Sequence, residues 1–229
     1  MWYYLDMSKT LENNLVNLFS SNRLSSYKYD INDTDSIALE RYLFNIEVSK
    51  SLYPLLSILE ISLRNRINQA IENTTQKDWL MKELNSQNIL QTGEFNKLQD
   101  AKQKLLKKGH KNFTKDDLIA ELSLGFWIYL CGRKYKNTLW HKAGFFKTVF
   151  ADYPNFSEFD KLGKISPSLQ LLLKLRNRIF HHEIIINYPY GIINCYNDLR
   201  RLLGYISKDS LLYLDRICDF NNVIAKKKP

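Results

Sequence analysis

The stretch Lys174-Leu-Arg-Asn-Arg-Ile-Phe-His-His-Glu183 brings a cation, an amide and two imidazoles into one short segment. On a helix at ~100° per residue, with Arg176 at zero, Leu172, Leu175 and Ile179 fall at about −40°, −100° and −60°. Leu169 and Phe180 fall at about +20° and +40°. Arg176 therefore lies inside the apolar arc. A guanidinium there has to be paired or has to face a ligand, because an unpaired buried charge is costly. Asn177 and His181 are four apart and share the next face. An extended arginine side chain brings its head group near them.

These parts suit RNA cleavage without a metal. That reaction removes a proton from the ribose 2′-OH, stabilises charge on the phosphorane and protonates the departing 5′-oxygen. Histidine exchanges protons near neutral pH. Arginine grips phosphate oxygens through a two-pronged fork and offsets the developing charge. Asn177 can orient His181 or the phosphate. The plainer alternative is a structural arginine with a carboxylate partner and two surface histidines. His182 stands as a second candidate for the proton transfer, about 100° from His181 on a continued helix. Neighbouring histidines on one helix are poorly placed to share a metal, and no His-Glu-x-x-His occurs. Neither a metal nor another cofactor is expected.

Leu-Arg-Asn-Arg-Ile occurs twice, at 63–67 and 175–179. The repeat reads either as an old duplication with paired roles or as coincidence among common helix residues. Gln69 stands in the first copy where His181 stands in the second, so the first is not read as a second catalytic motif. Glu60, Arg64 and Asn65 are expected to support the site. Glu60, four residues before Arg64, can pair with it on one helix face; Glu60 or Glu47 could alternatively hold Arg176.

Arg176-Asn177-Arg178-Ile179-Phe180-His181 matches the arginine–histidine motif of HEPN ribonucleases. The longer string Leu175–Glu183 resembles the Abi-like (abortive infection) proteins of the AbiD/AbiF type, bacterial phage-defence proteins with a helical HEPN fold. Leu59-Glu60-Ile-Ser-Leu63-Arg64-Asn65 and Gly125-Phe126-Trp127 resemble two further segments of that family, so the likeness spans residues 40–190. One departure is Ile184, where the family string often has proline. The resemblance implies a single HEPN-like helical domain with additional helices and a homodimer with a composite site. It also implies metal-independent endoribonuclease activity in anti-phage defence, with Arg176, Asn177, and His181 or His182 as catalytic residues. It further admits a small non-coding RNA as partner. The main rival is a HEPN-fold protein that binds such an RNA or another partner without cutting. A third class is a toxin paired with a nucleotidyltransferase antitoxin.

The elements that must position these residues read as all-α. Only 8 glycines and 5 prolines interrupt the 229 residues, and 45% of the chain is apolar. One helix is expected over Ser36–Lys50, with Ile37, Leu39, Leu43, Phe44, Ile46 and Val48 at helical spacing. A second is expected over Tyr53–Glu72 with Pro54 in its first turn. Trp79-Leu80 reads as an anchor within the irregular stretch 73–93, and a helix is expected over Glu94–Lys108. Thr114-x-x-Asp117 reads as a capping box opening a helix that runs to about Gly132. Its run Leu124–Leu130 is apolar all round and expected in the core. Ser166-Pro167 is expected to open the motif helix, which runs to about Ile186. Helices near Ile192–Ile206 and Ser210–Asn221 complete a single domain over 1–229. Residues 1–34 read as an N-terminal extension, with a loop over 20–34, and 222–229 as a disordered tail.

The formal charge is +9, which fits a polyanionic partner. Lys97–Lys115 holds seven lysines and one acid, Asp100. Arg133–Ala151 holds five Lys/Arg and no acid, with Tyr135, Trp140, Phe145 and Phe146 interleaved. Lys102, Lys104, Lys107, Lys108, Lys111, Arg133, Lys134 and Lys136 are the expected RNA contacts. The alternative is a solvated basic face over core aromatics, and the aromatics themselves read as core. Three cysteines at wide spacing argue against a disulfide framework. No membrane-spanning run is seen, and Met1–Asp6 lacks a signal peptide's pattern, so the expected location is the cytoplasm.

Overall fold

The computed structural model describes residues 9–226. Among them every regular element is helical and there is no strand, so the chain is all-α as expected. The helices are α1 (Lys9–Phe19), α2 (Ser21–Ser25), α3 (Asp35–Thr74), α4 (Trp79–Glu83), α5 (Thr92–Lys107), α6 (Lys115–Glu121) and α7 (Leu124–Leu130). After a tight 3-10 turn over Arg133–Tyr135 and a wider π-helical turn over Lys136–Trp140 come α8 (Phe145–Val149), α9 (Lys161–Phe180), α10 (Ile192–Ile206), α11 (Lys208–Ile217) and α12 (Phe220–Ala225). Among the described residues no helix is long and apolar enough to cross a membrane. The stretch Met1–Asp6, read for a signal peptide, and residues 227–229 of the expected tail lie outside the described residues.

Prolines mark the largest departures from expectation. Pro54 opens no helix but sits inside the 40-residue α3. Its missing N–H costs one bond, to the carbonyl of Lys50, and Lys50 is exposed, so water can serve that carbonyl. Fully buried Leu52 and Leu55 flank the proline and hold the helix to its core. Pro167 likewise lies inside α9, which starts six residues earlier at Lys161. Asp160 caps that start by accepting the Gly163 N–H at 3.2 Å. A Cβ on residue 163 would lie 2.1 Å from the Asp160 carboxylate, so a larger residue there would make the Asp160 side chain shift from this position.

The helix expected over Thr114–Gly132 is two helices. Thr114 and Asp117 form the expected capping box, but Leu122 turns extended (ψ 130°) and Ser123 starts α7 afresh. The break lets α7 bury Leu124, Phe126, Trp127, Ile128 and Leu130 while Tyr129 stays exposed. The loop expected over 20–34 contains α2, and Leu24 and Tyr27 within it are fully buried. Helix α12 extends to Ala225, into the stretch read as a disordered tail.

The described residues form two compact units, each assembled from distant segments. The first comprises 9–56, 174–197 and 214–226. Leu24, Tyr27, Ala38 and Leu39 form a core cluster there, with Leu15, Val16, Phe19, Tyr42, Ile184 and Ile186 against it. Tyr196 stacks on Phe220 with centroids 4.1 Å apart. Leu43 and Ile46, expected on the apolar face of α3, are exposed at 36% and 45%.

The second unit comprises 57–173 and 198–213. Its centre is aromatic: Trp79, Phe126, Trp127, Tyr135, Phe145 and Phe150 are all buried. The Trp79 indole donates to Asn68 Oδ1 at 2.8 Å, so the expected anchor is tied as well as buried. The buried Glu83 carboxylate accepts the N–H groups of Asn88, Ile89 and Leu90 at 2.8–3.0 Å, fixing the turn that leads into α5.

Candidate functional site

The motif helix ends earlier than its apolar pattern implies. Helix α9 stops at Phe180, not near Ile186. His182 N–H donates to the Ile179 carbonyl at 3.1 Å and Glu183 N–H to the Arg178 carbonyl at 2.8 Å. With His182 left-handed at φ 57°, this is a Schellman reversal in which histidine takes the place usually given to glycine. An L-residue in that region costs about 1 kcal/mol relative to glycine. His181 keeps helical bonding, since its N–H reaches the Asn177 carbonyl at 2.9 Å. Both imidazoles are exposed. The stop thus separates the two histidines: His181 stays on the helical path and His182 turns off it.

Arg176 is half-buried one turn earlier, and its guanidinium lies over the Phe180 ring at 4.4 Å. Asn177 is exposed beside it. The structure thus places Arg176, Asn177, His181 and His182 within the last turn of α9 and the reversal that ends it. Glu47, one of the carboxylates considered for Arg176, instead lies 3.9 Å from Lys226.

Two residues that sequence reasoning missed hold the chain beyond the histidines. The Asn45 side chain, 3% exposed, accepts the N–H groups of Ile185 (2.8 Å) and Ile186 (3.2 Å) through Oδ1. Its Nδ2 donates to the Glu183 carbonyl at 3.2 Å. Arg178 donates to the Ile184 carbonyl at 2.8 Å, sits 3.3 Å from the Glu183 carboxylate and lies 5.4 Å from the Tyr188 ring. These contacts and the Schellman bonds leave segment 181–186 little freedom. A signal for Asn45 was present: an amide between Phe44 and Val48 on an apolar helix face needs partners.

The supporting residues fare differently. Glu60, Arg64 and Asn65 lie on the part of α3 that belongs to the second unit. The expected Glu60–Arg64 pair does not form. Arg64 has no carboxylate partner among the described residues, and its Nε is buried without a hydrogen bond. The two Leu-Arg-Asn-Arg-Ile copies share one burial pattern: buried leucine, half-buried first arginine, exposed asparagine, half-buried second arginine. They differ in the turn after the shared residues, where α3 continues past Gln69 and α9 stops.

The expected RNA contacts split into two sets, all in the second unit. Lys104 and Lys108 are engaged by Glu121, at 4.0 and 2.6 Å. Lys102, Lys107, Lys111, Arg133, Lys134 and Lys136 have no carboxylate in ion-pair range among the described residues, and all but Lys102 are exposed. Tyr135, Trp140, Phe145 and Phe146 are core, as read. Phe159 was not singled out, yet it is 99% exposed, with the Lys136 ammonium 6.0 Å from its ring. No protein-family model, curated protein or solved structure matches the chain.

Proposed function

We propose that this protein is a metal-independent endoribonuclease of the HEPN kind, resembling Abi-like phage-defence proteins and acting as a cytoplasmic homodimer. The observation that carries the reading is the end of α9. A half-buried arginine and an exposed imidazole one turn later are succeeded by a second exposed histidine held in a strained conformation. Strain of this kind, maintained by surrounding bonds, concentrates at working sites. Arg176 holds the scissile phosphate and offsets charge on the phosphorane. His181 exchanges the protons: the 2′-oxygen loses one as its bond to phosphorus forms, and the 5′-oxygen gains one as its bond breaks. Asn177 orients the imidazole or the phosphate.

The test is the chemistry of the ends. Total RNA incubated with the protein in EDTA should acquire 2′,3′-cyclic phosphate and 5′-OH ends, and the Arg176→Ala/His181→Ala protein should make none. Cleavage that needs a divalent ion, or that leaves 5′-phosphates, sinks the reading. The exposed cations on and beyond α5 favour the second reading, a protein that holds a non-coding RNA without cutting. Tight RNA binding with intact RNA after incubation would select it.

A further inference from the structure

Within the second unit, a cavity of about 440 Å³ is lined by Cys131, Arg133 and Lys136 from one stretch and by Asp160, Leu162, Gly163, Ser166 and Pro167 from another. That volume is within the range of pockets for small organic ligands. Its composition is divided. The 131–136 wall contributes two cations that have no carboxylate partner among the described residues. Burial pushes the Cys131 thiol far up, so that residue is a neutral, apolar part of the same wall.

The other wall supplies acceptors. Pro167 has no N–H to give the Gly163 carbonyl, so that carbonyl lacks its helical donor. Ser166, with its hydroxyl, lines the same wall. Asp160 is already committed to the Gly163 N–H. The residue before Asp160 is Phe159, the almost fully exposed ring associated with Lys136. A phenylalanine left this open in water, next to a cation-lined cavity, has the character of a stacking platform for a base.

We infer that this cavity and its aromatic rim bind one nucleotide. The phosphate lies on Arg133 and Lys136, the base stacks on Phe159, and the Gly163 carbonyl and Ser166 hydroxyl meet ribose hydroxyls or an exocyclic amine. The nucleotide is either free or one unit of a single-stranded RNA. The inference stands apart from the nuclease reading, because it concerns equilibrium binding by other residues.

The experiment titrates the full chain with AMP and adenosine, and its uncutting Arg176→Ala/His181→Ala form with a fluorescent ten-nucleotide oligo(A), in EDTA at low salt. AMP binding at least about tenfold tighter than adenosine identifies a free nucleotide as the ligand. Oligo(A) binding without AMP binding assigns the subsite to RNA. In either case Arg133→Gln/Lys136→Gln and Phe159→Ala should each weaken binding of that probe about tenfold or more, and Phe159→Tyr should keep it near the starting affinity. The Arg133, Lys136 and Phe159 side chains are exposed, so their variants should keep wild-type circular dichroism. The proposal is overturned if neither probe binds, or if binding survives both the charge and the Phe159→Ala substitutions.

Discussion

The Asn45 side chain accepts the Ile185 N–H at 2.8 Å, joining residues 140 positions apart in the sequence. Together with the bonds to Ile186 and Glu183, it gives the segment after the histidines the pairing that a neighbouring strand would give. Asn45→Ala leaves the buried Ile185 N–H and its neighbours without partners, at a cost of about 2 kcal/mol. Urea unfolding measures it. A loss below about 0.5 kcal/mol would show that the segment is held by other contacts.

His182 carries a backbone conformation that glycine adopts freely. His182→Gly should therefore raise stability by about 0.5–1 kcal/mol despite removing a side chain, while His182→Ala should change it little. His181→Gly should go the other way, because His181 has no positive φ to relieve. Thermal unfolding of the three variants checks the order. Destabilisation by His182→Gly would mean that the imidazole makes contacts worth more than the strain.

Asp33 gives the first unit a pH-sensitive tie. Arg41 donates to its carboxylate, the N–H groups of Asp30 and Tyr29 add to this, and together they hold the carboxyl down at about 2. An unfolded aspartate titrates at about 3.9. The folded state thus binds the proton more weakly, so the stabilisation is complete above about pH 4 and is lost as pH falls through about 2. Asp33→Asn should flatten the stability–pH curve between those values and leave it unchanged in shape at neutral pH. An unaltered acid limb in the variant would contradict the assignment.

Which parts of the fold could be read from the chain depends on the range of the forces involved. Helix α10 runs over Ile192–Ile206 as expected, because its boundaries come from local stops: Gly191 before it and Ser207 after it. The Thr114–Asp117 capping box was legible for the same reason. The prolines misled, because whether a helix tolerates Pro54 or Pro167 depends on burial of distant neighbours, which no local window contains. The site was legible as a set of types: arginine, asparagine and histidine at helical spacing. Its shape was not. The apolar run Ile184-Ile-Ile186 looks like continuing helix, and only the long-range amide of Asn45, with the Schellman bonds, explains why the chain leaves the helix at His182. Arg64 was misjudged because an i,i+4 glutamate is only an opportunity for pairing, and here it is not taken.

In the proposed reaction Arg176 and His181, at the end of α9, cleave RNA. Single-turnover cleavage of a single-stranded RNA in EDTA by wild type, Arg176→Ala and His181→Ala protein tests this most directly. His181→Ala should lower the rate by about 10² or more through loss of proton transfer. Arg176→Ala should lower it by a similar factor through loss of charge stabilisation at the phosphorane. His181 is exposed, so His181→Ala should keep wild-type stability to within about 0.5 kcal/mol, and circular dichroism should show Arg176→Ala folded at the assay temperature. Cleavage by the wild type that persists undiminished in His181→Ala would remove the site from the reaction.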